Sequence, residues 1–406
     1  MEVISMKKTF TKIISLVLAL LMVGALLAAC GGSSDNTSSK ADDSSSAAEA
    51  DTKTDTGKKA KIGVLVSDVS GEEAQGFRKY YEDYIAKNYN VEFSYTEVLE
   101  DAAAEKSAIE KFASQGYDAI LSLAASDRAM QIETCAENKL YYAVVSGMLD
   151  DEQYETYKGN EYFVGQIGPS MQTEYEAGVA MGEYFAKNGA KTVAMYGAFI
   201  PNPMHVYRAA GVLKGIGATY GGTDEMGAVV GQIFGDQGID VSKVGAGDVQ
   251  LVSYFQGYGD TTPDELNAAI QLKPDAFISV GMATTFFAQQ LNTEGIKFAD
   301  IDSFTSMNND SMKNGSLTYL AGKYSSSIGP IFAVVYNAVN GNVIRDKDGN
   351  ALSISQGYRV ATTADEFDEL VSKDNGDDPI YSKTVLDTII SDKATFDDVK
   401  TLVDAN

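Results

Sequence analysis

From Lys61 onward, short runs of β-branched and apolar residues alternate with stretches whose apolar positions recur every three or four residues. Residues 62–66 read as a strand. The helix expected from about Glu72 puts Phe77, Tyr81, Tyr84 and Ile85 on one face. Residues 91–95 predict a second strand, and 102–114 a helix that buries Ala108, Ile109 and Phe112. Residues 117–123 form a third, almost wholly apolar run, as expected of a parallel strand covered on both faces. Ser126 is the expected N-cap of a helix over 127–138. Strands follow at 141–146 and 162–167. Such a βαβ series predicts a doubly wound parallel sheet with right-handed crossovers.

The pattern then restarts. A helix over 171–187 carries Gly178 and Gly182 four apart, a spacing that lets a neighbour approach closely. A strand at 191–196 precedes Asn202-Pro203, an N-cap with Pro at the first helical position. The expected buried face of that helix is Val206, Ala209, Ala210, Leu213 and Ile216, which turns Arg208 away from the core. Strands are predicted at 249–255, 275–280, 301–305 and 317–321. Thr262-Pro263-Asp264-Glu265 has the form of a capping box. An apolar helix is expected over 326–340, interrupted near its start by Pro330. The expected fold class is α/β, with two tandem doubly wound domains.

The residues before this series are different in kind. Lys7, Lys8 and Lys12 precede an apolar run over 13–27, the layout of a secretion signal and short for a membrane span. Leu27-Ala28-Ala29-Cys30 resembles the lipobox of bacterial lipoproteins. That resemblance implies cleavage before Cys30, acylation of its thiol (palmitate among the chains) and anchoring on the extracytoplasmic face of the cell membrane. Residues 31–59 contain no aromatic residue and are rich in Ser, Thr, Ala, Asp and Gly, so they read as a tether. The expected organisation is a signal over 1–29 and the lipidated Cys with its tether over 30–59. The N-terminal domain is then 60–168 plus 324–341, and the C-terminal domain 169–323 plus 342–406. In the tail, 346–353 suggest a hairpin, and 365–371 and 396–403 short helices.

Composition narrows the chemistry. The 406 residues carry 57 Asp and Glu against 32 Lys and Arg, a net charge of −25. That argues against nucleic acid as a partner, because such binding needs a basic stripe. One His and two Cys nearly exclude a His/Cys zinc site and a disulfide framework, so no metal or cofactor is expected. Cys135, the one thiol left after Cys30, reads as buried and structural. Asp346-Lys347-Asp348-Gly349-Asn350 lacks the ligand spacing of a calcium loop and reads as a turn. Gly215, Gly217 and Gly221 follow a helix rather than a strand, so they read as a helix end and turn. No nucleophile elbow or phosphate loop occurs, and no catalytic residues are assigned.

Several stretches together resemble the type I periplasmic-binding-protein superfamily, its sugar-binding branch above all. They are 61–68, Gly116-Tyr117-Asp118-Ala119-Ile120-Leu121, Tyr175-Glu176-Ala177-Gly178, 189–194, and Arg208-Ala209-Ala210-Gly211. The resemblance covers about 60–340 and implies a hinge and a ligand cleft between the two domains. It implies a monomeric, lipid-anchored solute-binding protein that delivers a small polar ligand to the permease and ATPase of an ABC importer. It also places candidate ligand contacts. Asp68, at the end of the first strand, is either a ligand contact or a capping residue. Arg208 is the expected charged ligand contact, Asn202 a contact or only an N-cap, and Lys323 lies at the late hinge. Ser146 and Asn308 stand where the family has acids. Trp is absent, so stacking on a sugar ring falls to Phe199, Tyr258 or Tyr324. With few acids, the cleft is expected to suit a ligand rich in oxygen acceptors or an anion, a preference that the net charge opposes. A nucleoside-binding lipoprotein, a ligand-presenting sensor and, less well supported, a surface glycosidase are the alternatives.

Overall fold

The computed structural model describes residues 57–197, 200, 202–257, 261–281, 283–375 and 377–405. The expected signal, Cys30 and most of the tether lie outside them, as do Phe199 and Tyr258.

The first lobe opens with β1 (Ala60–Leu65), α1 (Glu72–Lys79), β2 (Val91–Tyr95), α2 (Ala102–Ser114), β3 (Ala119–Ser122) and α3 (Arg128–Glu137). It continues through β4 (Tyr141–Val145), α4 (Asp151–Tyr157) and β5 (Phe163–Gly168). The second lobe holds α5 (Met171–Lys187), β6 (Thr192–Tyr196), α6 (Pro203–Gly215), α7 (Met226–Gly235), β7 (Gln250–Phe255), α8 (Thr262–Gln271) and β8 (Ala276–Ser279). It then runs through α9 (Ala283–Thr293), β9 (Lys297–Ile301), α10 (Ser306–Lys313) and β10 (Leu317–Gly322). Six strands form each sheet. The first is parallel throughout, in the order β11-β5-β4-β3-β1-β2, with β11 at Leu352–Ser355. The second runs β12-β10-β9-β8-β6-β7, with β12 (Arg359–Ala361) antiparallel at its edge.

The chain crosses between lobes repeatedly. After β10 it returns to the first lobe as α11 (Gly329–Val339), whose Ile331, Phe332, Val334 and Val335 are buried against β1 and β4 residues. After β11 it re-enters the second lobe, where Ala361 of β12 and Phe367 of α12 (Ala364–Asn375) join the core. It ends back in the first lobe, where Tyr381, Leu386, Val399 and Val403 are buried; the last two lie on the final helix, Phe396–Ala405. The expectation that 342–406 belongs wholly to the C-terminal domain is thereby corrected. The tail serves both lobes, and the hairpin expected at 346–353 is instead a turn leading into a strand that pairs with β5. Asp346 closes that turn by accepting from the Asp348 and Asn350 amides at 2.8 Å each.

Three local expectations also change. Asp127, not Ser126, caps α3, accepting from the Met130 amide at 3.0 Å, while buried Glu105 holds the Ser126 and Asp127 amides. The capping box at Thr262 does not form: the Asp264 and Glu265 amides donate to the Thr261 carbonyl instead. The strand expected at 301–305 lies four residues earlier, at Lys297–Ile301, and 302–305 become a loop.

The paired glycines act as the spacing suggested. Gly178 and Gly182 of α5 face Gly211 and Gly215 of α6. A Cβ on Gly178 would meet the Arg208 carbonyl, and one on Gly211 the Tyr175 carbonyl, well inside van der Waals contact. The two helices therefore pack backbone to backbone, which fixes Glu174 on α5 against Arg208 on α6.

Candidate functional site

A cavity of ≈ 680 Å³ opens beside the carboxyl ends of strands from both sheets. That is within the usual range for a small-molecule site, at the usual place in an open α/β sheet. The first lobe lines it with Asp68 and Ser70, from the β1–α1 turn, and with Glu72 and Glu73, which begin α1. The second lobe contributes His205, Arg208, Thr284, Thr285 and Asp302, and Lys323 and Tyr358 come from the crossing segments.

Arg208 is 5 % exposed and forms the floor. Its Nε donates to Glu174 Oε2 at 2.6 Å, Nη1 to the Val280 carbonyl at 2.7 Å and Nη2 to Tyr358 Oη at 2.7 Å. Tyr358 Oη in turn donates to Glu174, with 2.9 Å to Oε1 and 3.0 Å to Oε2. A guanidinium has five N–H groups, so one on each Nη remains for a ligand. The expectation that Arg208 turns away from the core is corrected: it is buried because Glu174 and Tyr358 follow it in. Beside it His205 is kept neutral, as burial and the Arg208 charge push its pKa down to about 4.

Lys323 bridges the lobes. Its Nζ donates to Ser146 Oγ at 2.9 Å and pairs with Glu73 at 3.0 Å. Burial works against the charge on Glu73, but Lys323 outweighs it and holds the carboxyl below its usual range. Ser303 Oγ also donates to Glu73 at 3.0 Å, and the Ser306 amide and hydroxyl donate to Glu72 at 2.9 Å each. Four contacts thus join α1 to the 303–306 loop and Lys323.

Asp302 is half-buried at the cavity wall. It accepts from the Ser303 amide at 2.7 Å and, more weakly, from Asn308 Nδ2 at 3.4 Å. Burial, and then the neighbouring charges of Asp300 and Glu73, raise its pKa to about 7. The folded protein therefore holds this proton more tightly than the unfolded chain. The group's contribution to stability falls as pH rises from about 4 through about 7, and the cost persists above that. Asp302→Asn should accordingly raise the unliganded Tm at pH 8 more than at pH 4. Thermal melts across that range check this, and a gain independent of pH contradicts it.

Neither a family model nor a curated protein matches the sequence. Solved structures do match. A solute-binding protein of an ABC transporter from Bacillus halodurans C-125, with bound myo-inositol, is 16% identical with a TM-score of 0.54, covering 77% of this chain and 96% of that one. A periplasmic solute-binding protein of an ABC transporter from Actinobacillus succinogenes 130z, with bound D-allose, is 13% identical with a TM-score of 0.56, covering 77% and 100%. The periplasmic binding protein of the arabinose ABC transporter from Shewanella sp. ANA-3, bound to L-arabinofuranose, is 15% identical with a TM-score of 0.54, covering 76% and 95%. The fold is that of the type I periplasmic binding proteins. At these identities the likeness is one of fold.

On this periplasmic-binding-protein fold, the sequence-predicted residues are distributed unevenly. Asp68, Arg208 and Lys323 line the cavity. Asp68 also holds its own turn, accepting from the Ser70 amide at 2.8 Å and the Gly71 amide at 3.1 Å. α1 itself has Gly71 as its N-cap and no side-chain cap, so the capping role expected for Asp68 is corrected to a turn-closing one beside the cavity. Asn202 caps α6, accepting from the Met204 amide at 3.1 Å, and is not part of the cavity wall. Ser146 stands behind Lys323, with φ 55°. Asn308 is fully buried and donates to the Ser303 carbonyl at 2.7 Å, which places it beneath the wall as a support for the Asp302 loop. Tyr324 is buried beside Phe304, with ring centroids 5.7 Å apart, and is not in the wall. The expectation of few acids is also corrected, because Asp68, Glu72, Glu73 and Asp302 all line the cavity. Sequence reasoning missed Glu73, Glu174, His205, Asp302 and Tyr358. Asp302 follows β9 directly, and placing that strand correctly would have found it.

Proposed function

We propose that the protein is the extracytoplasmic solute-binding component of an ABC importer and captures a sugar or sugar-like polyol between its lobes. The observation that carries this is the interlobe cavity, walled by charged and hydroxyl side chains and floored by the Arg208 fork. Hydroxyl groups of a ligand both donate and accept, which suits a wall that pairs carboxylates with guanidinium and ammonium groups. Met204, Ile301 and Met307 supply apolar surface for the ring face. The three related folds were solved with a polyol or sugar bound, which supports the same ligand class. Closure on the ligand by hinge motion follows from two lobes joined by several crossings. Handover to a permease and ATPase belongs to the same reading. So does a lipid anchor at Cys30 on the outer face of the membrane, motivated by Leu27-Ala28-Ala29-Cys30 and the polar tether behind it.

A thermal-shift screen of hexoses, pentoses, inositols, nucleosides and small acids tests the ligand class. A polyol at a hundred times its Kd should stabilise the protein by about 2.7 kcal/mol. Stabilisation by nucleosides or acids alone would refute the sugar reading. For the anchor, Cys30→Ser should move the protein out of the membrane fraction; a Cys30→Ser protein that remains acylated refutes it.

A further inference from the structure

We infer that the ligand is a polyhydroxylated ring bearing a protonated amine, an amino sugar, and that Asp302 receives the ammonium group. This rests on the sugar reading above and narrows it.

The cavity wall carries four carboxylates, Asp68, Glu72, Glu73 and Asp302, against two cations, Arg208 and Lys323. Both cations are already engaged. Arg208 is paired with Glu174, which lies on α5 outside the cavity lining, and Lys323 with Glu73. His205 adds no charge, because it is held neutral. Of the remaining carboxylates, Asp68 is satisfied by its own turn and Glu72 by Ser306. Asp302 has one good donor, the Ser303 amide, and among the described residues makes no ion pair.

Its charged surroundings are unfavourable from two elements. Asp300 on β9 and Glu73 on α1 both act against its ionisation, while Lys323 beside Glu73 is spent on that partner. The wall is therefore short of positive charge at Asp302, and among the described residues no cation pairs with it. A neutral sugar leaves that deficit in place. An ammonium group removes it and brings three donors to a carboxylate with acceptor capacity left over. Ion pairing also favours the ionised carboxylate, so binding should expel the proton that Asp302 holds near neutral pH.

Calorimetry at pH 7 in two buffers of different ionisation enthalpy tests this, using glucosamine, galactosamine and mannosamine beside glucose, galactose and mannose. At least one amino sugar should bind roughly tenfold or more tightly than its parent, with net release of protons to the buffer. Asp302→Asn should bring the amino sugar's affinity down to that of its parent and abolish the proton release. Neutral hexoses that bind as well as or better than their amino counterparts overturn the inference and leave the sugar reading standing. If no member of the panel binds while nucleosides or acids do, both fall together. An amino-sugar preference that survives Asp302→Asn overturns the role of Asp302.

Discussion

Arg208→Ala should lower the unliganded Tm substantially as well as weaken ligand capture. The side chain is buried and holds three partners at once: Glu174, Tyr358 and the Val280 carbonyl. Truncation leaves the Glu174 carboxylate, itself 3 % exposed, with Tyr358 Oη as its remaining side-chain donor. Breaking a buried pair by removing one member costs about 3–5 kcal/mol, since the other charge stays desolvated. A loss of that size corresponds to a Tm drop on the order of 10 °C in a domain of this scale. Arg208→Met combined with Glu174→Leu should recover much of it, because both charges then leave the interior together. Thermal unfolding of the three proteins measures this. An Arg208→Ala protein with an unchanged Tm would show the cluster to be a solvated surface group. Calorimetry on the same variant should show the loss of the two N–H groups that Arg208 leaves unused within the protein as a roughly tenfold or greater drop in affinity.

Gly211→Ala should be destabilising, against the normal helical preference. Alanine in a helix interior ordinarily gains about 1 kcal/mol over glycine. At Gly211 the new methyl would meet the Tyr175 carbonyl and the Val179 amide of α5, both backbone. Backbone cannot swing aside as a side-chain tip does, so the helices must separate. Overpacking of this kind costs about 1–3 kcal/mol or more. Separation also moves Glu174 away from Arg208, which couples this packing to the cavity floor. Gly231, inside α7, has nothing within 4 Å of its would-be Cβ. Gly231→Ala should therefore be neutral or stabilising. Opposite signs of the two Tm shifts support backbone-to-backbone packing of α5 on α6, and equal shifts contradict it.

The α/β alternation was legible because each lobe repeats strong local signals: apolar strands, capped helices and short connections. Asn202-Pro203 is a purely local device, and α6 begins where it says. The glycine spacing on α5 likewise announced a close neighbour, though not which one. What the sequence concealed was long-range pairing. Arg208 meets Glu174 from 34 positions away and Tyr358 from 150. Its neighbours on α6 therefore suggested an outward-facing charge. Asp300 misled in another way. An acid inside a strand breaks the apolar run and hides the strand from a reading of periodicity. In the fold Asp300 is fully buried and accepts from the Thr284 amide at 3.0 Å and its hydroxyl at 3.2 Å, anchoring the start of α9. Shifting that strand places Asp302 at its end, beside the cavity. The tail was hidden for the same reason as Arg208, since β11 pairs with β5 across more than half the described chain.

A ligand held between the lobes must fill the interlobe cavity. Thr285 lines that cavity yet is exposed, so a larger side chain there fills the space without disturbing the core. Calorimetric titration of Thr285→Trp with the most stabilising sugar from the thermal screen is the most direct test. Binding should weaken a hundredfold or more, about 2.7 kcal/mol, with the unliganded Tm unchanged. Wild-type affinity in Thr285→Trp would contradict this and place the ligand elsewhere.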